Sequence, residues 1–112
     1  GVDGLDATLA RARGDEPVIL LAHEPWIFAR TPPRPVALTL SGHTHGGQVS
    51  LPLLGSPHLK RPLDARYRYG HIVEDGRHLV VSGGLGTSIA PLRLFCPPEV
   101  VEVTLGPPAL AA

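Results

Sequence analysis

Two continuous apolar segments limit what this chain can fold into. Residues 17–22 and 36–40 are aliphatic and β-branched, and neither segment alternates regularly with polar residues. Strands with this composition are usually covered on both faces, as in the middle of an α/β sheet. The 112 residues suffice for one domain with a modest core. We therefore predict a layered α/β fold in which both segments are buried strands.

Shorter patterns predict the elements around these strands. A helix is expected over residues 5–13, because apolar side chains recur at helical spacing. An Asp-Gly pair at 75–76, between two β-prone segments, predicts a hairpin. The remaining predicted elements are the hairpin arms at 67–74 and 77–82, strands at 48–51 and 99–105, and a frayed tail at 106–112.

Composition excludes several classes of protein. The formal net charge is zero, so the charge balance indicates neither a nucleic acid nor an anionic membrane as partner. Cys96 is the only cysteine, which excludes an internal disulfide and a thiolate zinc cluster. No apolar run reaches the ~18 residues of a membrane-spanning helix. The sequence has no methionine, so the chain is expected to be the tail of a longer protein, and its localisation stays open.

Histidines follow both apolar segments. His23 comes directly after the first, and His43 and His45 lie in the loop after the second, with glycines at 42, 46 and 47 around them. In extended backbone, residues i and i+2 point the same way, so His43 and His45 can face one point or two neighbouring points. Glycines let the backbone approach a small ion closely. Neutral imidazole suits Zn, Mn, Fe and Co, so this loop is predicted to be a metal-binding corner.

His23 alone also has an ordinary explanation, since histidines are often partly buried without a function. Its position past the carboxyl end of a central strand is nevertheless where open α/β sheets bind ligands. If the two strands are parallel, His23 lies at the same sheet edge as the loop that carries His43 and His45. The order of the elements thus favours a joint metal site.

The same segments, in this order, resemble the C-terminal half of the calcineurin-like metallophosphoesterases. The likeness runs from about residue 1 to residue 105, and its most specific part is the sequence GHTHGGQ at 42–48. The other segments that carry it are 19–23 (ILLAH), 81–87 (VSGGLGT) and 93–99 (RLFCPPE). The resemblance implies that residues 1–105 are half of a four-layer αββα sandwich with mixed sheets and a C-terminal hairpin.

The resemblance also implies a dinuclear site with two divalent metal ions, which could be Mn, Fe, Zn or Co. His23 and His43 would share one ion, and His45 would bind its neighbour. The loop residues expected to support these ligands are Gly42, Thr44, Gly46, Gly47 and Gln48. The implied reaction is hydrolysis of phosphodiester or pyrophosphate bonds. The implied substrate is a small or lipid-linked phosphoester, with no nucleic acid expected.

The chain lacks the earlier motifs of that family, which are Asp-x-His, Gly-Asp-x-x-Asp and Gly-Asn-His-Asp. Three neutral histidines without a bridging carboxylate cannot hold two dications against their mutual repulsion. The catalytic residues are therefore expected upstream of Gly1, in a missing N-terminal half, and the isolated chain is expected to be inactive and poorly stable. Two alternatives stay open, a degenerate non-catalytic binding module and another metallohydrolase such as an amidohydrolase.

Overall fold

The computed structural model describes residues 3–47, 66–87 and 91–107, which form a mixed α/β arrangement. The sheet has four strands in the order β1-β2-β4-β3. In chain order the elements are helix α1 (Asp3–Leu9), strand β1 (Val18–Leu21), a 3-10 helix (Pro25–Arg30), β2 (Val36–Ser41), a 3-10 turn (His45–Gly47), β3 (Gly70–Glu74) and β4 (Arg77–Val81). The α/β class predicted from the sequence is confirmed, whereas the four-layer sandwich stays a prediction.

Strands β1 and β2 are parallel, with Leu21 beside Leu40 at their carboxyl ends. Strand β4 then runs parallel to β2 on its other side. The backbone pairing continues past the strands, because the Gly42 N–H donates to the His23 carbonyl at 3.2 Å. Parallel strands end at one edge of the sheet, so the segments after β1 and β2 lie side by side, as predicted.

The hairpin predicted at the Asp-Gly pair is present, with β3 antiparallel to β4. Asp75 and Gly76 have φ values of 51° and 72°, the two positive angles of a type I′ turn. Strand β3 begins at Gly70, later than predicted, because the preceding Tyr67 turns into the core. Its ring is 1% exposed, and its hydroxyl donates to Glu74 Oε2 at 2.9 Å.

The prediction of a strand at 99–105 is wrong. No strand of the described residues pairs with this segment, and Val100 is 81% exposed. Its partly apolar alternation resembles a strand, but a strand needs a neighbour for its backbone hydrogen bonds. Helix α1 also ends at Leu9, earlier than predicted. The strand predicted at 48–51 and most of the predicted tail lie outside the described residues.

Leu38 is buried on the side of the sheet that also carries Ile19, and most of the remaining core lies in two clusters. One contains Phe28, Tyr67, Leu79 and Val81, and the other contains Leu5, Leu20 and Val36. Arg77 ties the 3-10 helix to the hairpin, since its Nη1 donates to the carbonyls of Phe28 at 2.6 Å and Thr31 at 2.8 Å. None of the helices in these described ranges is long and apolar enough to cross a bilayer.

One side of the sheet, here called the open face, carries the exposed residues Ile19, Leu21, His71, Val73 and His78 together with buried Leu38. The strand register places these residues opposite to buried Leu20 and Leu79. Ile19 is 45% exposed and Leu21 is 76% exposed. Aliphatic side chains on a sheet face are normally packed against another layer. The described residues therefore leave one sheet face without a full covering layer.

Candidate metal centre

His23 and His43 meet at the shared carboxyl edge of β1 and β2. His43 Nδ1 lies 2.9 Å from His23 Nε2, and the ring centroids are 4.7 Å apart. The ring of Trp26 packs edge-on against His43 at 5.2 Å. One nitrogen of the pair donates a hydrogen bond in this arrangement. Two nitrogens bound to one ion at about 2.1 Å and at right angles would also be about 3 Å apart. The distance between the two nitrogens is therefore compatible with two ligands of one divalent transition metal, which would replace the hydrogen bond between them.

The loop that carries His43 and His45 is not extended, contrary to the sequence argument. Both residues have positive φ angles, of 65° and 51°. Non-glycine residues there cost about 1–3 kcal/mol each, so the surrounding contacts must hold the loop in place. Thr44 makes two of these contacts. Its hydroxyl donates to the Arg68 carbonyl at 2.6 Å and accepts the Gly46 N–H at 3.3 Å.

His45 turns towards another loop. Its Nδ1 lies 3.2 Å from the carbonyl oxygen of Gly86, in the glycine-rich segment after β4. The described residues contain no group of three or more His, Cys, Asp or Glu side chains placed to hold a metal ion. The structure therefore brings together His23 and His43 but not the whole predicted set, and the assignment of all three as ligands stays a prediction.

Among the predicted supporting residues, Gly46 is the most constrained. Its φ is 63°, and a Cβ placed there would overlap Cys96 Sγ. Gly42 donates to the carbonyl of His23, and Thr44 is 4% exposed and holds the loop as described. Gly47 ends the 3-10 turn, and Gln48 lies outside the described residues. The glycine at 46 is thus required by close packing, which the sequence alone did not reveal.

The segment at 93–99, here called the brace segment, packs behind the histidine loop, and the sequence analysis gave it no role in the site. The single S–H of Cys96 is shared between the carbonyls of His45, 3.3 Å from Sγ, and Gly46, 3.2 Å from Sγ. Glu99 accepts the Gly83 N–H at 2.9 Å and the Tyr69 hydroxyl. The Cys96 contacts join segments some fifty residues apart in the chain, and the Glu99 contacts join residues 16 and 30 positions apart. No local pattern could have predicted them.

The carboxylate of Glu99 predicts a specific pH dependence. The Tyr69 hydroxyl first, and then the Gly83 N–H, lower the pKa of Glu99 by hydrogen bonding to its charged form. A lowered pKa in the folded state adds stability above the unfolded value of about 4.3, and that stability is lost as the pH falls through the folded value. We expect Glu99→Gln to have a lower free energy of unfolding than wild type at neutral pH. The difference between the two free energies, here called the gap, should narrow at acid pH.

Urea unfolding at a series of pH values measures this gap. Glu102→Gln, an exposed neighbour, serves as the control and should track the wild type. A gap between Glu99→Gln and wild type that stays constant down to acid pH would contradict the expected role of the carboxylate.

Comparison with known proteins places this arrangement in a family. The protein of Bacillus subtilis (strain 168) named "Uncharacterized metallophosphoesterase YkuE" is 41% identical over 100 residues, which cover 89% of this chain and 35% of that protein. "Phosphodiesterase YaeI" of Escherichia coli (strain K12) is 40% identical over 89 residues, covering 80% of this chain and 32% of that protein. The chain thus spans about a third of the length of these curated relatives.

The same likeness extends to an animal protein. The "Transmembrane protein with metallophosphoesterase domain" of Bos taurus is 36% identical over 107 residues, which cover 94% of this chain and 23% of that protein. No family model matches the chain, and no solved structure matches it. The names of YkuE and of the Bos taurus protein both contain the word metallophosphoesterase, which agrees with the resemblance carried by the GHTHGGQ loop. The comparisons therefore support a calcineurin-like metallophosphoesterase, of which this chain is a part.

Proposed function

We propose that the whole protein is a metal-dependent hydrolase of phosphoester bonds, and that this chain supplies three histidine ligands to its dinuclear site. The observation that carries the proposal is the approach of His43 Nδ1 to within 2.9 Å of His23 Nε2 at the ends of two parallel strands. In this proposal the pair binds one divalent ion, and His45 binds the second.

The residues of this chain have a limited part in the proposed reaction. His23 and His43 are neutral nitrogen donors, and the tight loop around Thr44 fixes where the His43 ring can lie. When bound, two divalent ions would neutralise phosphoryl charge and lower the pKa of an attacking water. The bridging carboxylate and the acid that protonates the leaving group would come from the upstream half of the domain. The isolated chain is therefore expected to be inactive.

The open face supports the proposal that an N-terminal half completes the domain. Exposed Ile19 and Leu21 belong to a strand whose composition is typical of burial on both faces. The two bacterial relatives named above are about three times as long as the part this chain matches, which leaves ample sequence for a second sheet. In this proposal that sheet packs on the open face and forms the four-layer sandwich.

The proposed substrate is a small phosphoester, free or linked to a lipid. A relative carries the name phosphodiesterase, which favours a phosphodiester among the possible bonds. Zero formal net charge gives the chain no general attraction for a polyanion, so no nucleic acid is proposed as substrate.

Hydrolysis of a chromogenic phosphodiester by the protein in its full encoded length tests the proposal. We expect turnover that is abolished by a chelator and restored by adding Mn²⁺, Fe²⁺, Zn²⁺ or Co²⁺, because the proposed water activation depends on bound ions. The 112-residue chain alone is the control, and it should show no turnover.

Two outcomes would count against this function. Turnover that survives complete removal of metal would exclude the proposed chemistry. Metal binding without turnover of any phosphoester would favour the degenerate binding module instead.

A further inference from the structure

Arg93, in the brace segment, has an unusual concentration of carbonyl contacts. Its Nε donates to the Gly86 carbonyl at 3.0 Å, and its Nη1 donates to the carbonyls of Cys96 at 3.1 Å and Pro97 at 3.3 Å. Its Nη2 donates to the Gly83 carbonyl. A guanidinium is planar and presents its five N–H donors in a fixed geometry, so it can hold several carbonyls in one arrangement. We call this set of contacts the Arg93 clamp.

The Gly86 carbonyl links the clamp to His45. This oxygen accepts from Arg93 Nε and also lies 3.2 Å from His45 Nδ1. A carbonyl oxygen has two lone pairs and no proton, so it can accept both bonds but donate neither. His45 Nδ1 must therefore carry the hydrogen, and in the neutral ring the lone pair then resides on Nε2. The clamp thus selects one of the two tautomers of His45.

We propose that Arg93 is a positioning residue that fixes the ring orientation and the tautomer of His45 through the Gly86 carbonyl, so that Nε2 presents its lone pair to a divalent metal ion. Histidine ligands commonly donate their second ring N–H to a carbonyl or carboxylate, which sets the tautomer and raises the basicity of the ligand. The reference to a metal rests on the proposed function. The assignment of the His45 tautomer does not rest on the proposed function, because it follows from the hydrogen bonds alone.

Other contacts of the brace segment strengthen the assignment. Cys96 donates to the backbone carbonyl of His45 itself, while Glu99 accepts the N–H of Gly83 at the other end of the glycine-rich loop. The Glu99 N–H also donates to the Gly84 carbonyl at 2.9 Å. The same segment thus holds the His45 backbone and the loop that supplies the acceptor for its ring. Arg93 is the residue of the brace segment that donates to this acceptor, the Gly86 carbonyl.

The first experiment reads the tautomer of His45 in the full-length protein without metal. Long-range ¹H–¹⁵N correlation spectra of the imidazole rings are recorded at alkaline pH, because the two tautomers exist only in the neutral ring. We expect wild-type His45 to be protonated at Nδ1. Protonation at Nε2 would overturn the proposal, whatever any variant does.

The second experiment changes the clamp. Arg93→Lys keeps the positive charge but loses the planar fork, so His45 should shift towards the Nε2-protonated form, and Co²⁺ affinity should fall about 10–100-fold. Arg77→Lys is the matched control, because Arg77 also holds two carbonyls but does so away from the histidine loop. It should leave the His45 tautomer and the Co²⁺ affinity unchanged even if it lowers stability.

The possible outcomes separate this inference from the proposed function. An Arg93→Lys protein with wild-type tautomer and Co²⁺ affinity would overturn the positioning role. If that variant does not fold, protonation of wild-type His45 at Nε2 would still overturn the proposal. If wild type binds no Co²⁺ or any other divalent ion, the proposed function fails, while the spectra still judge whether Arg93 positions the ring.

Discussion

His43→Ala is expected to lower phosphodiester hydrolysis by the full-length protein more than about 100-fold. Loss of a residue that only supports a metal ligand costs about 10–100-fold, and loss of the ligand itself should cost more. The expected cause is loss of one ion, because the nitrogen that lies 2.9 Å from His23 would be gone. Steady-state kinetics, together with metal content per protein, measures both effects.

A double substitution makes this prediction sharper. If His23 and His43 bind the same ion, His23→Ala combined with His43→Ala should cost little more than either change alone, since residues that act as a unit are non-additive. Fully additive losses would indicate that the two rings serve different ions or different roles.

The hairpin provides a matched control for these variants. His71 and His78 also form a close histidine pair, with 3.0 Å between ring nitrogens, but they lie on the open face. His78→Ala should therefore leave metal content unchanged. Equal loss of metal in His78→Ala and His43→Ala would contradict the proposed site.

Gly46→Ala is expected to destabilise the protein by about 2–5 kcal/mol, a second large effect. Placing an alanine at φ 63° costs about 1–2 kcal/mol. Its Cβ would also overlap Cys96 Sγ, and such overpacking typically costs about 1–3 kcal/mol. Chemical denaturation of the variant and the wild type measures the difference in the free energy of unfolding.

Gly84→Ala separates the two causes. Gly84 has nearly the same φ, 65°, but no atom of the described residues lies within 4 Å of a Cβ placed there. This variant should show the backbone cost alone. If it destabilises as much as Gly46→Ala, packing against Cys96 is not the reason for a glycine at position 46.

A compensating change tests the same packing from the other side. Replacing Cys96 with alanine removes Sγ, so Gly46→Ala should cost less in a Cys96→Ala background than in the wild type. An unchanged cost would indicate that backbone strain alone accounts for the effect.

The sequence predicted the parts of the fold and site that depend on short-range patterns. Unbroken apolar composition identified β1 and β2, and the Asp-Gly turn identified the hairpin. Because parallel strands end at one sheet edge, the pattern also led to the approach of His23 and His43. The strand predicted at 99–105 failed for the opposite reason, since a strand exists only where a neighbour accepts its hydrogen bonds.

The rest of the site depends on contacts between distant segments. Positive φ at His43 and His45 has no sequence signal, because neither is a glycine and the strain is held by packing. The roles of Arg93 and Glu99 arise from carbonyl and N–H groups of loops that the tertiary fold brings close. An arginine or glutamate in a proline-containing segment is otherwise indistinguishable from an ordinary surface charge.

The buried thiol of Cys96 has a kinetic consequence. Cys96 is 8% exposed, and it is the only cysteine in this sequence. Its thiol donates a hydrogen bond to the backbone carbonyl of His45. A thiol reagent can reach Sγ only after the histidine loop and the brace segment separate. The rate at which native Cys96 is alkylated therefore measures how often the loop opens, and comparing that rate with and without metal ions reports how strongly bound ions hold it closed.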